Sequence, residues 1–528
     1  MSFETAFVNS SPLDSHNNLL FDTSYGKSLI ANRHAHSSHN RRMITTLNMD
    51  TVPSDAFSSG RTMIMKIAAK SLHKLVRATL EFEFSESGSS NSVTVPFIGS
   101  MLERVEIVSE SGSGVEVQRI YDDNFLINLA IGERYDAFKK YAKHTGVDEK
   151  YAACNNSVIP AGATRRFQLP LVGSWIDSVQ PYMQAIASDI WLRIYCKSTN
   201  LVSGSGTLRL DNVRLICEQE DHNGLDRDTY QRAHSTFNVH QRYSEAIRVE
   251  DTSSWTASTK KTINLDDVQG KVSFIVFGLR ASKATTANAY KKWVSLGDNA
   301  TVDLVDQTGR SYFGNGSPPR LGYLRQLAAE LLPEGELFDR QSVYVLPLCE
   351  NIQAALYGVV NNYHEFQPNS KWRLEITPAA AVTNAVVTFN CTNAANDGGA
   401  YRLQWAGEST GQLAFNADAA AMKAAFETLS MFREYPNMAV TFSGAATTDF
   451  TMTISGVDFD AVDKWGLPSL AADSLAGGGV GEICAVSVTT YFQSGFVSSG
   501  SLICSVYAYH AKESVLLSDS GKILAAVI

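Results

Sequence analysis

The chain has 528 residues, of which 44% are hydrophobic and 19% charged, and its formal net charge at pH 7 is −9. This length is too great for one β-sandwich and suits two or three domains, and the composition excludes a disordered chain. The acidic balance argues against a protein that neutralises nucleic-acid phosphates over a broad surface, and no uncharged apolar run reaches the roughly 18 residues that a membrane-spanning helix needs.

Residues 1–48 are rich in Ser, Asn and His and have no sustained period, which predicts an extended N-terminal arm. His34, His36 and His39 could be metal ligands, but nothing nearby supplies a carboxylate or thiol to complete a site. A solvated or partner-bound arm is favoured, and its arginines suit contact with an anionic surface or a neighbouring subunit. The arm lacks the apolar stretch of a signal peptide, so we expect synthesis in the cytoplasm.

From Met63 the apolar period becomes two, the period of a strand with one buried face. Leu80, Phe82 and Phe84 alternate with glutamates. Residues 102–121 predict a hairpin in which Val105 and Ile107 face Val115 and Val117. A helix is predicted from Asp122 to Lys143, and the alternation slips by one residue at Asp211-Asn212, which indicates a β-bulge.

Two stretches share one outline, Arg165 to Cys196 and Gln341 to Thr377. Each has a strand ending in Leu-Pro-Leu, an irregular passage, and an alternating strand that carries a tryptophan, Trp191 or Trp372. Proline lacks an N–H and sits at strand ends or bulges, so both prolines mark where a strand leaves its sheet. Two similar β-units are therefore predicted.

A polar run over residues 221–245 predicts a connector between the units, with a short helix starting near Asp226. The second unit contains residues 271–280, KVSFIVFGLR, whose nearly continuous apolar run predicts a strand buried on both faces. Residues 281–340 are mostly loop, with an amphipathic stretch around residues 324–332. A change of composition at residues 385–495 predicts an insert whose order is strand, helix, strand, strand.

The search for chemistry finds no nucleotide-binding, hydrolase or metalloprotease motif, so no catalytic, cofactor-binding or metal residue is predicted. The acidic pairs Asp122-Asp123 and Asp266-Asp267 could bind Ca²⁺, but solvated turns are favoured. Seven scattered cysteines without a C-x-x-C pair predict small buried thiols in a reducing compartment.

The order of these features resembles the double jelly-roll major capsid proteins of tailless DNA viruses, which typically enclose an internal membrane. The resemblance rests on RRFQLPLVGSW…IWLRIYC, the connector DRDTYQRAHSTFNVHQ, KVSFIVFGLR, VYVLPL and QPNSKWRLEIT, and the closing SVYAYHAKESVLLSDSGKIL. It covers most of residues 50–383 and 497–528. The insert resembles small β-rich domains of bacteriophage virion proteins, which favours a bacterial host.

The resemblance implies an all-β fold of two tandem jelly-roll β-sandwiches with a small α+β insert. The expected division is an arm at 1–48, a first roll at 49–220, a connector at 221–245, a second roll at 246–384 and 496–528, and an inserted outer projection at 385–495. It implies a structural, non-enzymatic virion protein without cofactors, whose homotrimers form pseudo-hexameric capsomers of an icosahedral capsid.

The implied partners are neighbouring capsomers, penton and minor capsid proteins, and an internal membrane reached through the arm, with no sequence-specific binding of nucleic acid. A capsid that condensed its genome directly would carry many basic residues, so the acidic charge favours a membrane or scaffold beneath the shell. The alternative is a carbohydrate-binding or receptor-binding β-protein of the virion or tail, which clustered exposed aromatic residues on the loops would favour.

Overall fold

In the computed structural model, the described residues are 41–86, 92–95, 97–110, 114–132, 157–197, 203–204, 206–221, 238–280, 293–314, 318–331, 342–359, 362–367, 371–390, 400–414, 416–435, 438–444, 449–457, 460–472, 485–498, 500–517 and 521–527. They form two β-sandwiches and an inserted third unit. None of the helices in these ranges is long and apolar enough to span a bilayer.

The first sandwich, roll 1, is built from two four-stranded antiparallel sheets. Its strands are β1 (Arg41–Asn48), β2 (Thr62–Ile67), β3 (Lys74–Glu86), β4 (Val93–Val95), β5 (Leu102–Ser109), β6 (Val115–Tyr121), β7 (Ser157–Ile159), β8 (Thr164–Pro170), β9 (Ile190–Cys196), β10 (Ser203–Gly204) and β11 (Leu208–Asp221). The sheet orders are β1-β11-β3-β8 and β2-β9-β5-β6, and β10-β4-β7 form a small third sheet. The helices are α1 (Ala56–Ser59), α2 (Ile98–Met101), α3 (Asp122–Ile131) and α4 (Trp175–Val179), with a 3₁₀ turn at Met183–Ala185.

The second sandwich, roll 2, repeats this plan. Its elements are β12 (Val239–Trp255), β13 (Lys261–Asn264), β14 (Gly270–Arg280), β15 (Trp293–Val294), β16 (Thr301–Val305), α5 (Leu321–Leu331), β17 (Tyr344–Pro347), α6 (Ile352–Leu356), β18 (His364–Phe366), β19 (Arg373–Thr377) and, after the insert, β28 (Gly500–Leu516) and β29 (Ile523–Val527). The order β12-β28-β14-β17 matches β1-β11-β3-β8, and β13-β19-β16 matches β2-β9-β5. In each roll the first strand lies beside a strand from the end of the roll, β1 beside β11 and β12 beside β28, which is the jelly-roll arrangement.

The insert lies between β19 and β28 and has its own hydrophobic core. It consists of β20 (Ala385–Asn390), β21 (Ala400–Trp405), β22 (Glu408–Ser409), β23 (Leu413–Ala414), α7 (Ala419–Phe426), α8 (Met431–Glu434), β24 (Ala439–Gly444), β25 (Phe450–Ser455), α9 (Ala461–Trp465), β26 (Ser469–Ala472) and β27 (Ala485–Thr490). The side chain of Asp418 accepts a hydrogen bond from the Ala421 N–H and caps α7. Met422 and Phe426 of this helix are buried against the sheet β24-β25-β20-β27.

Several local predictions from the sequence agree with these elements. The register of β11 against β3 shifts between Leu210 and Asn212, at the predicted bulge. Strand β14 is buried over most of its length on both faces. The closing strand β28 turns Leu502, Cys504, Val506 and Ala508 into the core of roll 2.

Other predictions need correction. The last eight residues of the predicted arm form β1, which pairs with β11 along its whole length at the edge of the sheet, while residues 1–40 lie outside the described part. Strand β12 begins at Val239, inside the predicted connector 221–245, because its side chains are buried there. The predicted helix near Asp226 lies outside the described residues. So do residues 133–143 of the helix predicted from Asp122, whose described part ends at Ile131.

The predicted hairpin of residues 102–121 forms, but its register differs from the prediction. Val105 lies opposite Ile120 and Ile107 opposite Gln118, and the register shifts by one residue between Ile107 and Val108. Alternation of apolar and polar residues predicts which face of a strand is buried. It does not predict the pairing register, which depends on the turn and on β-bulges.

Candidate functional site

The prolines of the two Leu-Pro-Leu motifs occupy the same register position in their sheets. Pro170 lies opposite Thr79, and Pro347 lies opposite Phe274. Across each sheet a row of paired residues continues from the proline. In roll 1 the row is Thr46, Ile216, Thr79 and Pro170. In roll 2 it is Ala246, Tyr509, Phe274 and Pro347. The two rolls are therefore equivalent residue by residue along these strands.

The row of roll 2 is buried against roll 1. Phe274, Tyr509 and Ala246 belong to the hydrophobic cluster that also contains the core of roll 1, and the rings of Phe274 and Tyr509 stack with centroids 4.3 Å apart. The equivalent side chains in roll 1 do not belong to this cluster: Thr46 is exposed and Ile216 is half-buried. We call the buried contact between the rolls the junction.

Helix α3 supplies the roll 1 side of the junction. All ten of its residues are buried, although four of them are polar, namely Asp122, Asp123, Asn124 and Asn128. The Tyr509 hydroxyl accepts a hydrogen bond from Asn124 Nδ2 at 2.7 Å and donates one to Asn128 Oδ1 at 2.9 Å. Buried polar groups are costly unless they are hydrogen-bonded, so this complementarity makes the packing of the two rolls specific.

Asp123 is the centre of the charged part of the junction. Its Oδ2 accepts hydrogen bonds from the Tyr507 hydroxyl at 2.5 Å and from Arg280 Nη1 at 3.1 Å. Arg280 is almost fully buried and also contacts Glu250 at 2.8 Å. Burial alone would lower the pKa of Arg280, but the acidic groups around it, Asp123 first among them, together outweigh burial and raise that pKa above its ordinary value. Arg280 therefore stays charged in the junction.

The guanidinium of Arg280 also contacts an aromatic ring. Its guanidinium lies 5.4 Å from the ring centroid of Trp293, and this indole covers Gly278. A Cβ at Gly278 would come within 2.5 Å of Trp293 Cε3, so only glycine fits at this position.

The acidic pair Asp122-Asp123 was predicted to lie in a solvated turn, and this prediction is wrong. Asp122 is buried and lies 2.5 Å from Lys197 Nζ, so both carboxylates are held by cations rather than by water. The cations, Lys197 and Arg280, come from distant parts of the chain, which local sequence does not show. The other pair, Asp266-Asp267, lies in an exposed turn as predicted.

A second buried charge cluster lies where β12 and β28 meet roll 1. Glu245 accepts hydrogen bonds from the Arg119 backbone N–H at 2.6 Å and from Lys512 Nζ at 2.5 Å. Burial raises the pKa of Glu245, while Lys512 opposes the rise. His510 Nε2 lies 3.6 Å from Glu245, but burial, with the charge of Lys512 beside it, lowers the pKa of His510 to about 4.

His510 makes folding sensitive to acid. Its pKa is near 6.5 in the unfolded chain and about 4 in the folded chain, so between these values the unfolded chain binds more protons and stability falls as the pH falls. This contribution is about 3 kcal/mol, and the raised pKa of Glu245 works in the opposite sense. We expect His510→Gln to lose less stability than the parent chain between pH 7 and pH 4.5, as measured by urea unfolding at both values. Equal losses would contradict a buried neutral imidazole.

The four cysteines in the described ranges, Cys196, Cys217, Cys349 and Cys504, are free thiols. Burial raises the pKa of Cys196 and Cys217 to about 12, so neither is a reactive thiolate near neutral pH. The other three cysteines lie outside the described residues. No group of three or more metal-ligating side chains occurs within the described part of the chain, and the histidines of residues 34–39 fall outside it.

The junction was not predicted from the sequence. The signal that could have found it is the continuous apolar run of residues 271–280, because a strand buried on both faces requires a second layer outside its own sandwich. The sequence does not show which part of the chain supplies that layer.

No protein-family model matches this chain, and no curated protein matches it in sequence. Similarity appears at the level of solved structures. The crystal structure of VP54 of the virus PBCV-1, fitted into a reconstruction of the virophage Sputnik, has a TM-score of 0.50 at 10% identity, over 93% of this chain and 98% of that one.

Two further solved structures are similar at lower scores. A quasi-atomic model of the PBCV-1 capsid has a TM-score of 0.48 at 10% identity, over 93% of this chain and 98% of that one. The Faustovirus major capsid protein has a TM-score of 0.41 at 10% identity, over 65% of this chain and 87% of that one. From the strand order and the similarity to VP54 together, the chain has the double jelly-roll fold that the sequence resemblance predicted.

Proposed function

We propose that this chain is a structural virion protein, a major capsid protein whose trimers form pseudo-hexameric capsomers of an icosahedral shell. The observation that carries the proposal is the residue-by-residue equivalence of the two rolls, joined by a junction that uses the outer face of one roll only. A building block with two equivalent modules, one of which has its docking face uncovered by the described residues, is suited to closed rings of copies.

Three copies about one axis would present six similar sandwiches, and hence a nearly hexagonal outline. Tiles with this outline cover flat facets of a large shell. We propose that the insert, residues 385–495, is an outer projection of the capsomer. Its separate hydrophobic core and its position in one interstrand connection support this assignment.

The proposed partners follow from the same role. They are neighbouring capsomers, penton and minor capsid proteins, and an internal membrane contacted through the N-terminal arm, with synthesis in the host cytoplasm. The net charge of −9 supports a shell that is separated from the genome by a membrane or scaffold. We propose no catalytic role and no direct sequence-specific binding of nucleic acid.

The purified chain is expected to form a stable trimer, with three times the chain mass of 57.6 kDa by light scattering or native mass spectrometry. The interface between copies is expected to bury on the order of several thousand Å². Negative-stain microscopy should show hexagonal particles. A protein that is only monomeric at micromolar concentration, with no hexagonal outline, would contradict the capsid proposal and favour the carbohydrate-binding or receptor-binding alternative.

A further inference from the structure

We propose that roll 2 forms an intramolecular amide bond between the side chains of Glu245 and Lys512. The bond joins β12, the first strand of roll 2, to β28, its closing strand. The two residues are 267 positions apart, so the bond closes a long loop of chain that contains the insert. The inference goes beyond the proposed function and does not rest on it, because the bond lies within a single copy of the chain.

The two reacting groups are held in contact inside the protein. Lys512 Nζ lies 2.5 Å from Glu245 Oε2, the carboxylate is buried, and the side chain of Lys512 is 13% exposed. Both residues belong to the antiparallel pair β12-β28, where Glu245 lies opposite His510, two residues before Lys512. Groups that are fixed in contact react much faster than the same groups free in solution, because their orientation is already set.

An amine and a carboxyl group form an amide only from their neutral forms, and the site favours these forms. Burial raises the pKa of Glu245, although the charge of Lys512 opposes the rise. The charge of Glu116 also raises this pKa, and Glu116 itself pairs with Arg119 at 2.7 Å. A proton can pass from Nζ to Oε2 across their contact, which turns a buried ion pair into an uncharged amine and acid.

His510 is placed to move protons during the reaction. Its Nε2 lies 3.6 Å from Glu245 Oε2, and neither ring nitrogen has a hydrogen-bond partner among the described residues. Burial, with the charge of Lys512 beside it, lowers the pKa of His510 to about 4, so the imidazole is neutral and accepts a proton. A buried imidazole without hydrogen bonds is costly for folding, and a role in this reaction accounts for its presence.

The other carboxylate oxygen already has a donor that can stabilise negative charge. The backbone N–H of Arg119, in β6 of roll 1, donates a hydrogen bond to Glu245 Oε1 at 2.6 Å. When the amine of Lys512 attacks Cδ of Glu245, a C–N bond forms and Oε1 takes the electron pair of the C=O bond. The N–H then holds the oxyanion, as in the tetrahedral intermediates of acyl transfer.

The intermediate collapses with loss of water. The C=O bond to Oε1 forms again as the bond from Cδ to Oε2 breaks. His510 Nε2 takes a proton from the new amide nitrogen and gives it to Oε2, which leaves as water. One ammonium and one carboxylate thus give one amide and one water, and no oxidant or second substrate is needed. Burial keeps bulk water from the site and so opposes the reverse reaction.

A second buried pair provides an internal comparison. Lys197 Nζ lies 2.5 Å from Asp122 Oδ2, the same separation as between Lys512 and Glu245. Asp122 is also contacted by Arg248, at 3.8 Å. A carboxylate between two cations stays ionised and resists attack by an amine. The pair of Lys197 and Asp122 is therefore expected to remain an ion pair.

Mass spectrometry of the denatured full chain tests the bond. The parent chain is expected to be lighter than its sequence mass by one water. Trypsin should release a branched peptide that joins residues 243–248 to the segment containing Lys512, because it no longer cleaves at that lysine. Lys512→Arg keeps the charge but replaces the amine, so this variant should have its full sequence mass. The control is Lys260→Arg, the same change in the exposed pair with Glu375, which should still lose water.

The role of His510 is tested by the rate of bond formation. The bonded fraction is followed over time after cell-free synthesis, and His510→Gln is expected to slow its growth at least ~100-fold, the usual contribution of a positioned acid–base group. Equal rates would overturn the proton transfer by His510, and so would a bond between Lys197 and Asp122.

The bond itself is overturned if the parent chain has its full sequence mass, or if Lys512→Arg still loses water. Should Lys512→Arg fail to fold, the branched peptide of the parent chain decides alone. Each of these results is read from one copy of the chain. A bonded chain that is monomeric would therefore contradict the capsid proposal and leave the amide bond established.

Discussion

A chain that stops at Gly500 is expected to be aggregated or unfolded. Strand β28 lies between β12 and β14, so its loss leaves two strand edges unpaired in the middle of the sheet. The truncation also removes buried side chains from both faces of this strand. Val506 is lost from the core of roll 2, and Tyr507 and Tyr509 are lost from the junction. Size-exclusion chromatography with light scattering would show aggregate or no soluble protein.

The matched control is a deletion inside the insert. Replacing residues Ala395 to Gly481 with a short Gly/Ser linker is expected to leave a soluble trimer with a shorter outer projection. Strands β20 and β27 are paired neighbours, with Asn390 opposite Ala485, so a short linker can join them, and loop changes of this kind cost little. Aggregation of the deletion together with a trimeric truncation would show that the closing strand and the insert have been placed wrongly.

Most of the fold could be predicted from the sequence because the patterns that indicate its strands are local. Alternation identified β3, a nearly continuous apolar run identified β14, and the Leu-Pro-Leu motifs identified two equivalent strands, since proline sits at strand ends or bulges. The first strand of roll 1 was not predicted because its local signal is weak. Strand β1 is an edge strand whose outward side chains, such as Ile44 at 74% exposure, follow no clean alternation of apolar and polar residues.

The junction depends on contacts between distant parts of the chain. Asp123 meets Arg280, 157 residues away, and Tyr507, 384 residues away. Both acidic pairs are Asp-Asp dipeptides, so the sequence alone did not distinguish the buried pair Asp122-Asp123 from the solvated pair Asp266-Asp267. Pairing of Pro170 with Thr79 and of Pro347 with Phe274 likewise needs the register, which sequence periodicity leaves open.

Arg280→Ala is expected to lower the free energy of unfolding by about 3–5 kcal/mol, the usual cost of removing one partner from a buried ion pair. The loss is large because Asp123 would stay buried beside the Tyr507 hydroxyl after losing the charge of Arg280, and because Trp293 would lose the guanidinium that lies over it. Urea unfolding at neutral pH measures the change. The effect should appear as separation of the two rolls before either sandwich unfolds, since Arg280 of roll 2 and Asp123 of roll 1 meet across the junction.

Lys260→Ala provides the matched control for this expectation. Lys260 pairs with Glu375 at 2.8 Å, a shorter distance than that from Arg280 to Asp123, but its side chain is 59% exposed. An exposed pair contributes about 0–1 kcal/mol because water already solvates both charges. If geometry alone set the strength of these pairs, the two variants would lose similar amounts of stability. A loss confined to Arg280→Ala would show that burial in the junction is the cause, and equal losses would exclude the junction as the contact that holds the two rolls together.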